Sequence, residues 1–427
     1  MLLRHVCHSI FALSLLSSVA QAYDLKSELR FESTNFFEQG AQQQSQFTGS
    51  IAAQVEVNKA LTNSQQLQLR VFGRIDEQDN HRSGLDVREA LWTYAQQSWQ
   101  VRAGVGQVFW GTTEAQHLVD IVNQTDYLAS LDGDVKLGQP LVNVSWEQNQ
   151  HLVDFYVLPY FRERPFAGAD GRLRLPYVID SETSYESGAK RQHLDVAFRY
   201  QFNQQNLRIG LSGFSGTSRE PILSPVVDPS QFSYMATPFG VVVPTGFVGN
   251  YKPYLQAYYP IIQQLGIDAQ YIIGDCLLKL EAIDRHGFSQ RYQGIDTGLE
   301  YTQVRAFDSN VDIGWLAEYL YDSRNNTATT SFEHDVFVGW RFAFNDASSS
   351  ELLTGVISDI HSHEQAWKVK GSTRLNDSSK ISIEGRFFHT KQDVPSPFSA
   401  LSTQPSDEKL YPLTDDSFLR AEFSYYF

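Results

Sequence analysis

The chain has 427 residues, a formal net charge of −15 at pH 7 and a mean hydropathy of −0.33. The acidic balance argues against a nucleic-acid partner, because binding to the phosphate backbone requires a basic surface. Tyrosine and phenylalanine are abundant, at 21 and 28 residues, yet the mean hydropathy excludes a helical membrane protein and suits a barrel whose apolar and polar residues alternate.

The chain begins like an exported protein. Arg4 supplies a short basic start, an apolar run follows at residues 10–19, and Ala20-Gln21-Ala22 forms a small-x-small cleavage site. We interpret residues 1–22 as a secretory signal peptide. Residues 23–427 are interpreted as one mature domain, because no linker divides them.

Segments of period-two alternation follow one another through the mature chain. The first, residues 24–32, alternates Leu29 and Phe31 with Arg30 and Glu32, as a strand with one apolar face does. The others are residues 46–57, 66–76, 85–96, 99–108, 139–148, 151–160, 191–202, 206–215, 263–273, 276–286, 294–306, 310–321, 334–344, 350–359, 365–374, 379–390 and 416–427. Their length is mostly near the roughly ten residues that cross a bilayer at a tilt. About 18 strands are predicted, and 16 stays open if two weak segments belong to loops.

The connections differ in length according to whether they follow an even-numbered or an odd-numbered segment. Those after even-numbered strands are short, whereas several after odd-numbered strands are long, notably residues 109–138, 161–190, 216–262 and 391–415. Short periplasmic turns that alternate with long external loops are typical of outer-membrane barrels. The sequence therefore predicts an all-β fold, namely a transmembrane antiparallel up-and-down β-barrel with both ends periplasmic.

The last segment sets Leu419, Phe423 and Phe427 on one face and ends on an aromatic residue. The closing strand of a transmembrane barrel carries such a residue at the interface. The ending also resembles the terminal signature by which bacterial outer-membrane proteins are recognised, which implies the barrel-assembly machinery as a partner during biogenesis. The closing strand of a soluble sandwich is the alternative interpretation.

If the apolar faces meet lipid, the alternate faces line the lumen. The candidate pore-lining residues are Arg70, Arg74, Arg88, Arg102, Arg199, Arg208, Arg341, Glu300 and Glu318. The first four lie on neighbouring strands, so they predict a positive patch that favours anionic solutes. A salt-bridged lumen without selectivity is the alternative. Glu89 falls on the apolar side of its segment, which predicts either a β-bulge or a position near the rim.

The third external loop, residues 109–138, is the predicted constriction. Thr112 or Thr113 is predicted to cap a short helix in this loop. Leu118, Ile121 and Val122 are too apolar for a free surface loop, so we predict that it folds inward and narrows the pore. A helix packed on the outer rim is the alternative. The candidate constriction residues are Trp110, Glu114, His117, Asp120, Asn123 and Asp126.

A sequence block around this loop resembles a known family. The run VGQVFWG at residues 105–111, followed by LVDIVNQTD at residues 118–126, is similar to a block in porin-like outer-membrane β-barrels of a family of unknown function. That family is distantly similar to alginate-export barrels. Gly106 and Thr125 depart from its usual pattern. The resemblance implies a channel or transport role and supplies no substrate.

Two further features invite functional interpretations. Residues 229–251 contain no charged side chain and many apolar ones, so we expect this stretch to fold into the barrel mouth, pack on another subunit or receive a hydrophobic solute. Asp359 and the run His361-Ser362-His363-Glu364 could ligate a metal, but such a cluster at an external turn is more often solvated. No metal site, cofactor or catalytic pair is predicted, so the protein is not expected to be an enzyme.

These features together predict a channel for passive passage of small, preferentially anionic solutes across the outer membrane of a Gram-negative bacterium. The expected partners are outer-membrane lipid, lipopolysaccharide and a small-molecule solute, with the oligomeric state left open. A carrier of hydrophobic or polysaccharide cargo, or a structural barrel of an envelope complex, is the alternative.

Overall fold

In the computed structural model, eighteen antiparallel strands close into a barrel, and the predicted strand number is confirmed. The structure describes residues 23–239, 241–249, 251–287, 290–400 and 408–427, so the proposed signal peptide lies outside the described residues. Each barrel strand pairs with the next barrel strand along the chain, and the last barrel strand pairs with the first. The barrel strands are β1 (Asp24–Phe36), β2 (Phe47–Thr62), β3 (Gln65–Asp76), β4 (Gly84–Ala95), β5 (Trp99–Gly106), β6 (Gln139–Gln148), β7 (His151–Leu158), β10 (Asp195–Gln204), β11 (Leu207–Thr217), β16 (Ile261–Ile273), β17 (Cys276–Gly287), β18 (Gln290–Gln303), β19 (Asp312–Asp322), β20 (His334–Ala343), β21 (Glu351–Asp359), β22 (Gln365–Asn376), β23 (Ser379–His389) and β24 (Phe418–Tyr426).

The remaining elements are short and lie in the connections. Short strands occupy two of the long external loops: β8 (Val178–Ile179), β9 (Ser184–Tyr185), β12 (Ile222–Val226), β13 (Phe232–Ala236), β14 (Val242–Phe247) and β15 (Tyr254–Tyr259). The helical turns are Asn80–Arg82, Lys190–Gln192, Pro229–Gln231, Ala306–Asp308, Asn325–Thr327, Pro397–Ala400 and Tyr411–Leu413. Within the described part of the chain, no helix has the length and apolar character needed to cross a membrane.

The outer surface of the barrel carries the apolar face of its strands. Phe31 on β1, Ile51 on β2 and Leu419 on β24 are large apolar side chains that remain about half exposed. Their neighbours Glu32 and Arg74 point inward and are buried. A continuous exterior of exposed apolar residues is unfavourable in water and suits contact with hydrocarbon.

The irregular charge pattern of β4 results from a β-bulge. Arg70 of β3 pairs with Glu89, and the next residue, Val71, pairs with Val87, so Arg88 is the extra residue of β4. The bulge allows the consecutive residues Arg88 and Glu89 both to be buried inside the barrel. Of the two explanations for Glu89, the bulge is confirmed.

The apolar stretch 229–251 forms the β13–β14 hairpin. The rings of Phe232 and Phe247 stack 5.5 Å apart, and Phe398 of the last external loop packs against both. Tyr234, Met235 and Phe239 are 55%, 61% and 92% exposed. The base of the hairpin is therefore packed, whereas its tip is not covered by the described residues of this chain.

Candidate pore constriction

The connection between β5 and β6, residues 107–138, turns into the lumen and is called the inner loop below. Val119, Ile121 and Val122 are at most 2% exposed and share one buried apolar cluster with wall residues such as Tyr156 and Phe214. The prediction that this loop folds inward is confirmed. The loop therefore packs a buried apolar core against the part of the barrel wall that runs from β4 to β18.

The short helix predicted at Thr112 or Thr113 is wrong, because the described inner loop contains no helix. Glu281 of β17 supplies the hydrogen-bond acceptor instead: its Oε1 accepts the backbone N–H groups of Thr112 (2.5 Å) and Thr113 (3.1 Å), and its Oε2 accepts that of Val119 (3.1 Å). Buried N–H groups require an acceptor, and a wall carboxylate meets that need without a helix. Gly111 has φ +154°, and a Cβ there would lie 3.2 Å from Glu281 Oε1.

A second wall carboxylate holds the same stretch of the inner loop. Glu318 of β19 accepts the backbone N–H groups of Glu114 at 2.9 Å and Ala115 at 2.8 Å. The Glu114 carboxylate in turn lies 2.7 Å from Arg341 and 3.3 Å from Lys368. Of the predicted residues, Glu114, Glu318 and Arg341 are therefore brought together at one end of the loop.

The inner loop crosses the lumen from one wall to the other. At one wall, Arg88 of β4 lies 2.6 Å from Asp126 and donates to the Lys136 carbonyl at 2.6 Å. At the other wall, Glu114 contacts Arg341 of β20. Since β4 and β20 stand on roughly opposite sides of the ring of eighteen strands, the loop spans the lumen.

The tip of the inner loop is anchored by Asp132, which the sequence analysis did not select. Its carboxylate pairs with Lys368 at 3.2 Å, with Lys370 at 3.4 Å and with Arg386. Burial alone would raise the pKa of Asp132, but these three cations hold it well below its usual range. In the sequence, Lys368 and Lys370 of β22 and Arg386 of β23 fall on the lumen face, and this group of cations was the signal for a carboxylate partner inside the barrel.

Asp120 and Asn123 brace the inner loop internally. Asp120 accepts the Trp110 backbone N–H at 3.2 Å and lies 2.8 Å from Lys136. Asn123 accepts the Val108 backbone N–H at 2.9 Å and donates to two backbone carbonyls at the ends of the loop. These two predicted constriction residues therefore act as local supports.

His117 contacts Asp134 within the inner loop, and the strength of this contact depends on the protonation of the imidazole. Its Nε2 lies 3.1 Å from Asp134 Oδ1, and its ring packs edge-on against Phe109 at 4.8 Å. Burial alone would lower the pKa of His117, but the hydrogen bond to Asp134 and the charges of Glu281 and Asp120 raise it. Protonation of His117 therefore favours the packed loop.

The predicted arginine patch is paired with carboxylates on the barrel wall. Arg70 lies 3.3 Å from Glu56 and 3.3 Å from Glu89, and Arg74 lies 3.6 Å from Glu32. Pairing reduces the positive field that these side chains can present to a solute. The anion preference assigned to this patch stays a prediction.

Arg102 and Arg199 occupy different surroundings. Arg102 donates to Asn143 Oδ1 at 2.8 Å. Arg199 is 1% exposed, pairs with the fully buried Asp268 at 2.9 Å and lies 5.2 Å from the Trp110 ring centre. Arg199 and Trp110 therefore form part of the packed centre.

The remaining predicted wall residues lie where water reaches the lumen. Arg341 is paired with Glu300 at 3.4 Å, yet its side chain is 44% exposed. Glu300 also accepts from Lys279 at 3.1 Å, and Arg208 lies 3.5 Å from the Gln201 amide oxygen. The packed core thus adjoins a charged part of the lumen, near the end of the barrel that carries the short turns.

An external cavity of about 390 Å³ lies on the other side of the inner loop. Its wall includes the predicted residues Glu114, His117, Asp120 and Asn123. The basic residues of the wall are Lys136, Arg164, Arg219, Arg285, Arg324, Lys368 and Arg386, and the acidic ones are Glu114, Asp120, Asp132, Glu220 and Asp322. Six of these residues, namely Asp132, Lys136, Arg164, Arg219, Glu220 and Arg324, lie in loops whose paths alternation does not predict, whereas Arg285, Asp322, Lys368 and Arg386 lie on barrel strands, where alternation gives the face but not the cavity.

No family model matches the chain, and no curated protein matches its sequence. Among solved structures, the chain is similar to Wzi of Escherichia coli, with 11% identity, a TM-score of 0.51 and coverage of 97% of this chain and 86% of that one. OmpT of Vibrio cholerae matches with 10% identity, a TM-score of 0.43 and coverage of 95% and 99%. A mutant porin of Rh. blastica matches with 10% identity, a TM-score of 0.41 and coverage of 95% and 100%. The likeness to Wzi shows the fold alone, which is that of an outer-membrane β-barrel.

Proposed function

We propose that this protein is a channel of the bacterial outer membrane for the passive passage of small polar solutes. The observation that supports this most directly is the inner loop, which crosses the lumen between a charged cavity and a second charged part of the lumen that contains the half-exposed Arg341. A solute reaching the periplasm through the barrel passes this loop. The proposed role is transport without chemical change of the solute.

The external cavity sets the expected size and polarity of the solute. Its volume of about 390 Å³ falls near the lower end of the roughly 300–1,000 Å³ typical of small-molecule sites. Charged side chains from both the inner loop and the wall line it. Small, hydrophilic molecules therefore fit this path better than extended polymers.

The cavity wall also supports a preference for anions. It carries seven basic and five acidic side chains, an excess of two positive charges. An unbalanced charge in a narrow, low-dielectric passage concentrates ions of the opposite sign. The cations of this wall are also paired with carboxylates, as Lys368 is with Asp132 and Arg324 with Asp322, so the proposed source of selectivity is the excess of basic over acidic side chains across the whole wall.

The test is single-channel conductance of the refolded barrel in a planar bilayer, with selectivity taken from the reversal potential in a salt gradient. We expect a small steady conductance with anion preference. Lys368→Gln removes a charge from the cavity wall and should weaken that preference. Lys391→Gln removes the same charge from an exposed external position and should leave it unchanged. A silent barrel would refute the channel.

A second function, a structural barrel of an envelope complex, is supported by two observations. The inner loop packs a buried apolar core inside the barrel, and the β13–β14 hairpin exposes Tyr234, Met235 and Phe239. Such a barrel would be silent in the bilayer and would retain a protein partner through detergent extraction. A carrier of hydrophobic cargo would instead copurify with lipid.

A further inference from the structure

Three buried carboxylates meet at the external rim of the barrel. Glu333 directly precedes β20, Asp335 lies near its start, and Asp359 ends β21, where it pairs directly with Asp335. The three residues are 1%, 3% and 5% exposed, and one carboxylate oxygen from each lies within 4.8 Å of the others. Like charges placed opposite each other in a sheet are destabilising, and burial strengthens their repulsion.

The protein supplies little positive charge to this cluster. The Lys409 ammonium lies 4.0 Å from Glu333 Oε1, but it also donates to the backbone carbonyls of Asn326 and Ala328. A further buried carboxylate, Glu364, accepts the backbone N–H of Lys409 at 2.6 Å. One shared ammonium therefore faces several buried acids.

Glu333 gives an independent indication of a ligand. Both of its carboxylate oxygens are buried, and neither accepts a hydrogen bond from a described residue. By contrast, Asp359 Oδ1 accepts the backbone N–H groups of His361 at 2.7 Å and Ser362 at 2.5 Å. A buried carboxylate without a donor is costly unless it is protonated or coordinates a cation. One carboxylate oxygen of Glu333 lies within 4.8 Å of an oxygen of Asp335 and of an oxygen of Asp359.

We propose that Glu333, Asp335 and Asp359 bind a hard divalent cation, Ca²⁺ in preference to Mg²⁺. The donors of this cluster are carboxylate oxygens, which suit both ions. Both ring nitrogens of the neighbouring His334 are engaged, by Tyr319 and Asn325, so imidazole ligation of a softer metal is disfavoured. Ca²⁺ accepts irregular oxygen geometry, whereas Mg²⁺ demands an octahedron and retains waters that a dry cluster excludes.

The bound cation would fix the external entrance. It would join the end of the connection 323–333 to β20 and β21. Glu364, which follows β21, accepts the backbone N–H groups of Lys409 and Leu410 and so holds the last external loop beside this site. Phe332 and Leu410 both line the external cavity. Calcium would therefore order one side of the cavity wall, and its binding does not depend on the proposed transport function.

The test uses the full-length barrel refolded in detergent without lipopolysaccharide and stripped with EDTA. Calorimetric titration with CaCl₂ should give one site per chain, with MgCl₂ weaker, and calcium should raise the thermal unfolding midpoint. Glu333→Gln and Asp359→Asn should each weaken calcium binding about tenfold or more, because affinity follows the charge of the ligands. Glu182→Gln, an exposed acid of another external loop, is the matched control.

Folding of each variant is checked by the gel mobility of the heated and unheated barrel. The variants remove like-charge repulsion, so we expect them to fold, and the calcium-dependent part of the thermal midpoint is the deciding quantity. Its loss in Glu333→Gln with retention in Glu182→Gln supports the site. A wild-type midpoint that does not respond to calcium, or unchanged binding in Glu333→Gln, overturns the proposal.

Discussion

Replacing Glu281 with Gln should loosen the inner loop. The carboxylate is fully buried and accepts the N–H groups of Thr112, Thr113 and Val119 and the Thr113 hydroxyl. A glutamine keeps the shape but can present only one oxygen. If that oxygen serves Thr112 and Thr113, the amide NH₂ group faces the Val119 N–H, donor against donor.

The expected cost can be worked from these contacts. One charge-assisted hydrogen bond, worth about 1.5–3 kcal/mol, is lost, and the others become neutral and weaker. A total near 3 kcal/mol raises the open fraction of the loop by roughly 100-fold, at about 1.4 kcal/mol per factor of ten. Glu281 also pairs directly with Asp296, so losing its charge relieves a repulsion. The global thermal midpoint should therefore change less than the stability of the loop.

The assay is protease cleavage of the inner loop, followed at Lys136, together with single-channel conductance. Glu281→Gln should speed cleavage and raise conductance. Glu351→Gln is the control, since Glu351 on β21 is 67% exposed and pairs with Lys380. Cleavage and conductance in Glu281→Gln equal to those of the wild type and of Glu351→Gln would refute the reasoning.

Two further predictions concern charge pairs. Asp268→Asn leaves Arg199 buried without its anion, so the free energy of unfolding in denaturant should fall by about 3–5 kcal/mol, and a loss below about 1 kcal/mol would contradict the pairing. Contact with Asp134 raises the pKa of His117 above the ordinary histidine value of about 6.5. Protonated His117 therefore stabilises the loop fully below about pH 6.5, and this stabilisation is lost as the pH rises through the raised pKa. Conductance should therefore increase across that pH range in the wild type but not in His117→Gln, and a flat wild-type profile would contradict it.

The sequence by itself determined the barrel. The alternation of side chains along a strand places each one toward lipid or toward the lumen, independently of which residues surround it. The alternation of short and long connections distinguishes the two ends of the barrel. The irregular alternation at Glu89 predicted either a bulge or a position near the rim, and the strand register decides for the bulge. The apolar composition of Leu118, Ile121 and Val122 was enough to predict an inward loop, because a free loop does not expose such residues.

Only the tertiary structure decided which groups meet inside. Thr113 finds its acceptor in Glu281, 168 residues away along the chain, so local propensity predicted a helix that the wall carboxylates replace. Pairing of the lumen arginines and convergence of Glu333 and Asp335 with Asp359 likewise depend on strand register and loop path. Alternation fixes the face of a side chain but not its partner, because partners are set by long-range closure of the barrel and its loops.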